Sequence, residues 1–468
     1  MNRSNGGGTR TGGGMRGAAG GANLLALRSH NTALVLDLLR TAGGAGISRL
    51  ELAERTGLTP QAVSKITARL RGEGLAAEAG RRASTGGKPR TVLRLVPGAG
   101  HALGVHLDRD ELRAVLVDLD GTVVAERRAP LDLGAGAETV LEMVARAAEE
   151  LAAEGLGHLV AEGARVPGAA LAAAPTLLGL GVALPGPLDH VRGVLHRITG
   201  FPGWDGYPLR EALERRLGVP VVVDKDTNAA ALGLAVGGAG GERGSGAGGQ
   251  RGSGAGAEEG GAGCEGGSRA GAEWGDGAGV EAGSAGGQRG SGAGAEWGSG
   301  AGAEAARAGA RGGSFAYLHL GTGLGAGLVF GGGVHRGART GAGEFGHQVV
   351  QLDGPPCTCG ARGCIEALCL AAVARGDLAE AARVLGTGAA NLAGLLDIDL
   401  VLLGGRTVAA APEAFVQGVG AVLDARARRE GGHDGPVPVR LAPAGTRGVA
   451  EGAAQLLLAP LFGRGEGG

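Results

Sequence analysis

Residues 343–366 begin Gly343-Glu344-Phe345-Gly346-His347 and close with Cys357-Thr358-Cys359-Gly360-Ala361-Arg362-Gly363-Cys364-Ile365-Glu366. Three thiols fall within eight residues, and a histidine lies ten residues ahead of the first. Three sulfurs and an imidazole are the soft and borderline donors that tetrahedral Zn²⁺ takes. Gly360 and Gly363 let the loop curl until the sulfurs face one point, while Pro355 and Pro356 stiffen its approach. The rival reading, buried thiols that merely cluster, explains neither the glycine punctuation nor the histidine. A site closed by His347, Cys357, Cys359 and Cys364 has no open coordination position, so the expected metal is structural. It fixes His347 and the flanking Glu344 and Glu366 for contact with something polar.

The spacing resembles the signature of the ROK family (repressors, open reading frames and kinases), G-E-x-G-H followed by C-x-C-G-x-x-G-C-x-E, at every fixed position. The resemblance implies that His347, Cys357, Cys359 and Cys364 hold zinc. It also implies that Glu344, His347 and Glu366 contact sugar hydroxyls.

Further matches lie on both sides. Pro185, Gly186 and Pro187 form the family's P-G-P turn, and Phe201 to Asp205 match its F/L-P-G-W-x segment. Val221 to Leu232 read as a strand passing into a helix, similar to the family's N-D-A-N motif. There Asp226 takes the place of the carboxylate that serves kinases as general base, and Lys225 replaces the usual Asn, keeping a donor but losing an acceptor. Gly321, Thr322, Gly323 and Gly325 match the second phosphate loop, although any tight hairpin wants glycine. The first phosphate loop, D-x-G-G-T in kinases, is missing: Leu107, Asp108, Arg109, Asp110 and Glu111 stand there. Three carboxylates without a glycine are expected to repel nucleotide phosphates, which argues against ATP.

Ahead of this domain, residues 31–96 read as a winged helix-turn-helix. Leu34, Val35, Leu38 and Leu39 recur at helical spacing, and Ser48 can cap a second helix that ends at Gly57. Thr59 and Pro60 open a third helix with Val63, Ile66 and Leu70 on one face. Gln61, Ser64, Lys65 and Arg69 are left for a DNA groove. Residues 75–79 and 91–95 can pair around Arg81, Arg82, Lys88 and Arg90, a wing for phosphate or the minor groove. Charge agrees with this division. Residues 1–94 carry 15 Lys and Arg against 5 Asp and Glu, whereas the whole chain is at −1. A polyanionic partner is thus expected for the N-terminal part alone.

Composition bounds the rest. With 101 glycines and 2 % aromatics, part of the chain cannot pack. Residues 237–313 are mostly Gly, Ala, Ser, Glu and Arg with almost no large apolar residues, and the twelve residues Ala247 to Glu258 recur as Ala285 to Glu296. Such a stretch buries too little apolar surface to offset its ordering entropy and is expected to be a disordered insertion. Five cysteines without a paired framework suit a reducing cytoplasm, with Cys264 and Cys369 as bystanders. Residues 1–21 lack a signal-peptide pattern, and the Pro-containing run from Val166 to Leu188 does not suit a membrane helix.

The expected organisation is a tail (1–22), a winged helix-turn-helix (23–97), a first lobe (98–236), the insertion (237–313) and a second lobe with zinc (314–468). The fold class is α/β, an actin-like (ribonuclease H-like) two-lobed domain joined to the DNA-binding domain. Between Glu366 and Leu400 the chain is shorter than the family pattern, so a trimmed second lobe is expected. The implied function is a sugar-responsive repressor acting as a homodimer or higher oligomer on operator DNA, with a small sugar or sugar phosphate as effector. The alternatives are an ATP-dependent, glucokinase-like sugar kinase with Asp226 as base, and a degenerate repressor that ignores ligand.

Overall fold

The computed structural model describes residues 30–82, 90–157, 171, 176–196, 198, 200–237, 313–431 and 435–464. The insertion expected at 237–313 therefore lies almost wholly outside the described residues, as do the N-terminal tail and the wing tip with Lys88.

The first unit of structure is α1 (His30–Ala42), β1 (Ile47–Ser48), α2 (Arg49–Thr56), α3 (Pro60–Gly72), β2 (Ala76–Arg82) and β3 (Arg90–Leu95). Local sequence sets these bounds. The Ser48 hydroxyl accepts from the Glu51 amide while the Glu51 carboxylate accepts from the Ser48 amide, a reciprocal capping box. Gly57 closes α2 in the left-handed region at φ 69°. The Thr59 hydroxyl accepts from the Ala62 amide, and Pro60 occupies the first turn of α3. The three helices rest on a small antiparallel sheet ordered β1-β3-β2, the arrangement of a winged helix. The strand β1 was not expected from sequence; its two residues pair with Val92 and Leu93.

Two sheets of one topology follow. The first comprises β4 (His101–Leu107), β5 (Glu111–Asp118), β6 (Val123–Pro130), β7 (Leu177–Leu184) and β10 (Val221–Lys225), ordered β10-β7-β4-β5-β6. Helix α4 (Ala137–Leu156) precedes β7; the short pair β8 (Leu188–Asp189) and β9 (Val194–Leu195), then α5 (Leu209–Leu217), separate β7 from β10; and α6 (Asp226–Gly237) follows it. The second sheet comprises β11 (Ser314–Leu320), β12 (Leu324–Phe330), β13 (Gly333–Val334), β14 (Leu400–Gly404) and β15 (Val439–Leu441), ordered β13-β12-β11-β14-β15. In each, an antiparallel meander of three strands is extended by two parallel strands on the far side of its first strand. This repeated pattern is the duplicated ribonuclease H-like, actin-like architecture expected from the sequence. Helices α7 (Ile365–Ala374), α8 (Leu378–Leu396), α9 (Arg406–Ala410) and α10 (Pro412–Glu430) complete the second lobe, so its sheet is whole despite the short stretch after Glu366.

The last helix, α11 (Gly448–Leu458), packs on the first sheet and against α6, and its residues share a core with the second sheet. The approach depends on absent side chains. A Cβ on Gly104 would strike the Ala450 carbonyl, and one on Gly181 the Ala453 carbonyl. Gly181→Ala is therefore expected to lower stability by about 1–3 kcal/mol through overpacking. Urea unfolding that leaves the midpoint unchanged would refute the close contact. Past α11, the chain reaches the winged helix. Arg464 makes a two-pronged ion pair with Asp37 of α1 at 2.9 and 2.7 Å, and the Arg40 guanidinium lies 4.2 Å from the Phe462 ring centroid. Leu457, Leu458, Leu461 and Phe462 share a hydrophobic core with Val35, Leu36 and Leu39. One short segment thus touches both lobes and the N-terminal domain.

Candidate functional site

Strand ends and glycine turns from both lobes converge on one open cleft. The first lobe contributes Asp108 and Arg109 after β4, Gly186 of the P-G-P turn, Lys225 ending β10, and Asp226 and Thr227 opening α6. The second contributes His319, the turn from Thr322 to Gly325, Glu344, His347 and Glu366. All four residues expected to contact sugar, Asp226, Glu344, His347 and Glu366, line this one cleft.

The metal-ligand candidates also converge. One donor atom each from His347, Cys357, Cys359 and Cys364 fits within a mutual distance of 4.8 Å. The Cys357 sulfur is 3.7 Å from His347 Nδ1, and the Cys359 and Cys364 sulfurs are 3.8 Å apart. Zn–S bonds of about 2.3 Å and Zn–N bonds of about 2.0–2.1 Å at tetrahedral angles need separations of this size. Cys369 stands apart, buried with its thiol donating to the Ala381 carbonyl at 3.5 Å, and burial pushes it up to about 12. Because His347 borders the cleft while its Nδ1 faces the sulfurs, a metal held by these four donors would fix one wall of the pocket.

The polar groups of the cleft are tied down in advance. Glu366 Oε2 accepts from the Leu324 amide at 2.8 Å, and Asp226 Oδ1 from the Thr227 amide at 2.6 Å. Lys225, 2 % exposed, donates to the Ala342 carbonyl and to Glu344 Oε1, the latter at 3.3 Å. Lys225 therefore bridges the lobes. Beside it Arg336 Nε donates to the buried Asp224 at 2.8 Å, and His190 bonds Thr340 at 3.0 Å.

Opposite stands a second bridge that sequence reasoning missed. Thr322 Oγ1 donates to Asp108 Oδ1 at 2.6 Å, and Arg406 grips Asp110 through two bonds of 2.9 and 2.8 Å while approaching Asp108 at 3.5 Å. Arg406 directly follows the Leu-Gly-Gly end of β14, too far along the chain from Asp110 for any local signal. The bridge corrects the expected repulsion of phosphates. Asp108 and Asp110 face Arg406, and Glu111 faces Arg113 at 2.9 Å, so their charge is largely compensated. What the loop loses is open glycine backbone, since its side chains fill the space and bind across the cleft. Burial raises the Asp108 carboxyl, but the Thr322 bond, His106 and Arg406 outweigh it and hold it below its usual value.

Behind the cleft lies a buried aromatic set. His106 and His319 meet edge-on with centroids 6.3 Å apart, and the Tyr317 hydroxyl bonds His319 Nδ1 at 2.9 Å. His106 Nε2 is buried without a partner. Burial pushes His106 below the ordinary histidine value, against the upward pull of Asp226 and Asp108; burial also lowers His101. A depressed histidine binds fewer protons in the folded than in the unfolded state. Its contribution is present above the unfolded value of about 6.5 and is lost as pH falls through the folded value. The melting temperature should drop between pH 7 and pH 5, and His106→Gln should make that drop shallower. An equally steep drop in the variant would count against His106 as a source.

On the winged helix, Gln61, Lys65 and Arg69 are exposed and Ser64 is half-buried. Arg69 is partly engaged, donating to Thr32 at 2.8 Å and lying 3.9 Å from Glu73. Arg81 and Arg90 are exposed on the hairpin; Lys88 and the Arg82 side chain lie outside the described residues. No helix among the described residues is long and apolar enough to cross a membrane.

Comparison with known proteins bears on this arrangement. Residues 102–277 and 298–372 match the model of the ROK family. The chain is 30 % identical over 210 residues to the DNA-binding transcriptional dual regulator NagC of Escherichia coli (strain K12), covering 45 % of this chain and 47 % of that one. It is 26 % identical over 193 residues to the xylose repressor of Bacillus subtilis (strain 168), covering 41 % and 46 %. The matches thus span about half the length of these curated relatives. In fold, it is similar to a crystal structure of a ROK family transcriptional regulator, a homologue of the E. coli MLC protein, with a TM-score of 0.59 and 18 % identity, over 93 % of this chain and 98 % of that one.

Proposed function

The chain belongs to the ROK family, and from that premise we propose that it is a sugar-responsive transcriptional repressor, not a sugar kinase. One observation carries the reading: where the first phosphate loop of a kinase would be open, Asp108 and Asp110 are bound across the cleft by Thr322 and Arg406. Two relatives named as regulators, NagC and the xylose repressor, support it.

In this reading a sugar enters the cleft, with hydroxyls donating to Asp226, Glu344 and Glu366 and accepting from the His347 imidazole. These acceptors are already oriented, so less ordering entropy opposes binding. Zn²⁺ held by His347, Cys357, Cys359 and Cys364 supplies structural rigidity to that wall. Binding shifts the balance between open and closed lobes. The change reaches DNA through α11 and the Arg464–Asp37 pair, which join both sheets to α1. The protein acts as a homodimer on a roughly palindromic operator in the cytoplasm, with Gln61, Ser64 and Lys65 at the base edges and Arg69, Arg81, Arg82, Lys88 and Arg90 toward phosphates.

Selection of bound fragments from a random DNA pool tests the proposal. It should enrich an inverted repeat. Lys65→Ala should weaken binding to that repeat, and Arg90→Ala should weaken it and reduce the slope of log affinity against log salt by about 2, one for each protomer of the dimer. Failure to enrich any sequence would defeat the DNA-binding reading. Unchanged affinity in both variants would remove this helix and wing from the interface.

A further inference from the structure

We infer that Arg109 commits the pocket to a sugar carrying an anionic group, a phosphate ester or a carboxylate, rather than to a neutral sugar. The inference rests on the sugar-responsive reading and narrows its ligand.

The observation is an unanswered cation. Lys225, Arg336 and Arg406, the other cations in or beside the cleft, each face a carboxylate. Arg109 lines the cleft, is only partly exposed, and among the described residues has neither an ion pair nor a side-chain hydrogen bond; its Nε is buried and unpartnered. A planar guanidinium offers five donors in a fixed fork, and one that lines a pocket with its Nε buried and no acceptor of its own suits an oxyanion taken in two-pronged fashion.

The loop that carries it is held firmly. The Asp108 amide donates to the Glu111 carbonyl at 2.8 Å, and the Arg109 amide to Asp108 Oδ1 at 2.8 Å. The Leu131 amide donates to the Asp110 carbonyl at 3.0 Å and the Leu133 amide to the Arg109 carbonyl at 3.1 Å. Arg109 is thus presented on anchored backbone rather than on a free excursion.

Its surroundings fit one small molecule with hydroxyls at one end and a negative charge at the other. A Cβ placed on Gly323 would lie 3.1 Å from Glu366 Oε2 and 3.5 Å from Arg109 Nη2, so the guanidinium stands beside a proposed sugar contact with bare backbone between them. The glycine turn from Gly321 to Gly325 lets an oxyanion approach the main chain there. Of the neighbouring carboxylates, Asp108 is paired with Arg406 and Glu344 with Lys225, while Asp226 and Glu366 accept from the Thr227 and Leu324 amides and face the proposed hydroxyl end of the ligand.

Isothermal titration of the full chain with matched probes tests the inference: glucose, glucose 6-phosphate and glucuronate; N-acetylglucosamine and its 6-phosphate; inorganic phosphate; and a non-hydrolysable ATP analogue. One anionic sugar should bind at least tenfold more tightly than its neutral parent. The phosphate and carboxylate arms identify which anion is used. Arg109→Gln should remove that preference while leaving the neutral parent within about twofold, and Arg109→Lys, which keeps the charge but not the fork, should retain part of it. Melting curves confirm that each variant is folded. Equal or tighter binding of the neutral parent, a preference that survives Arg109→Gln, or an Arg109-dependent site for the ATP analogue alone would overturn the inference. Binding of neutral sugars only would leave the sugar-responsive reading standing, whereas no binding by any sugar would defeat both.

Discussion

Replacing Cys364 with serine is expected to strip bound zinc from the protein and lower its melting temperature by about 10 °C or more. Cys364 is fully buried, 3.8 Å from the Cys359 sulfur and 3.7 Å from the His347 carbonyl, so no solvent ligand can readily take its place. A closed structural site contributes its binding free energy to folding, and a loss of several kcal/mol corresponds to a shift of that size. The damage should reach the ligand, because His347 borders the pocket and Glu366 follows Cys364 by two residues. Cys369→Ser is the control: that buried thiol lies outside the cluster, so zinc content should stay at one per chain although packing suffers. The exposed Cys359 offers a milder test. Metal analysis showing full zinc in Cys359→Ser, with unchanged melting, would remove the cysteines from the site.

The parts of this structure that sequence reveals are those set by near neighbours in the chain. The metal loop spans a few residues whose glycines and donors can be read together. The caps at Ser48 and Thr59, with Gly57 and Pro60, mark helix ends by local hydrogen bonding and backbone geometry alone. Sugar-contact candidates from distant segments were found through the family resemblance, and the cleft brings them together. Other features had no local signal. Arg406 meets Asp110 across 296 residues of chain, and Arg464 meets Asp37 across 427. The charge of Asp108 and Asp110 suggests repulsion because their shared partner, Arg406, is invisible in a linear reading, whereas Arg113 lies only two residues past Glu111. Nor could apolar periodicity reveal that α11 lies between elements of both lobes: Gly452 and Ala453 are small for close approach, and such residues look like ordinary helix filler until the opposing backbone is known. The unpaired state of Arg109 is likewise a property of the folded cleft.

DNA binding should be governed by salt. If the exposed cations of α3 and the wing of two protomers together neutralise about six phosphates, affinity for the selected repeat should fall roughly 10³-fold between 50 and 200 mM salt. At fixed salt, the cognate sugar should weaken that affinity by at least tenfold, on the order of the coupling free energies found between linked sites. Asp226→Ala, Glu344→Ala and Glu366→Ala should lose the sugar effect.

The sugar is expected to be sensed and not consumed, and following ATP-dependent phosphorylation of each sugar in the same preparation whose DNA affinity is being titrated separates the two. A sugar that shifts the DNA titration should come back unmodified, with or without ATP and Mg²⁺. Turnover on the order of 1 s⁻¹ or faster, abolished in Asp226→Ala and accompanied by DNA affinity that ignores sugar, would contradict it and make the protein a kinase.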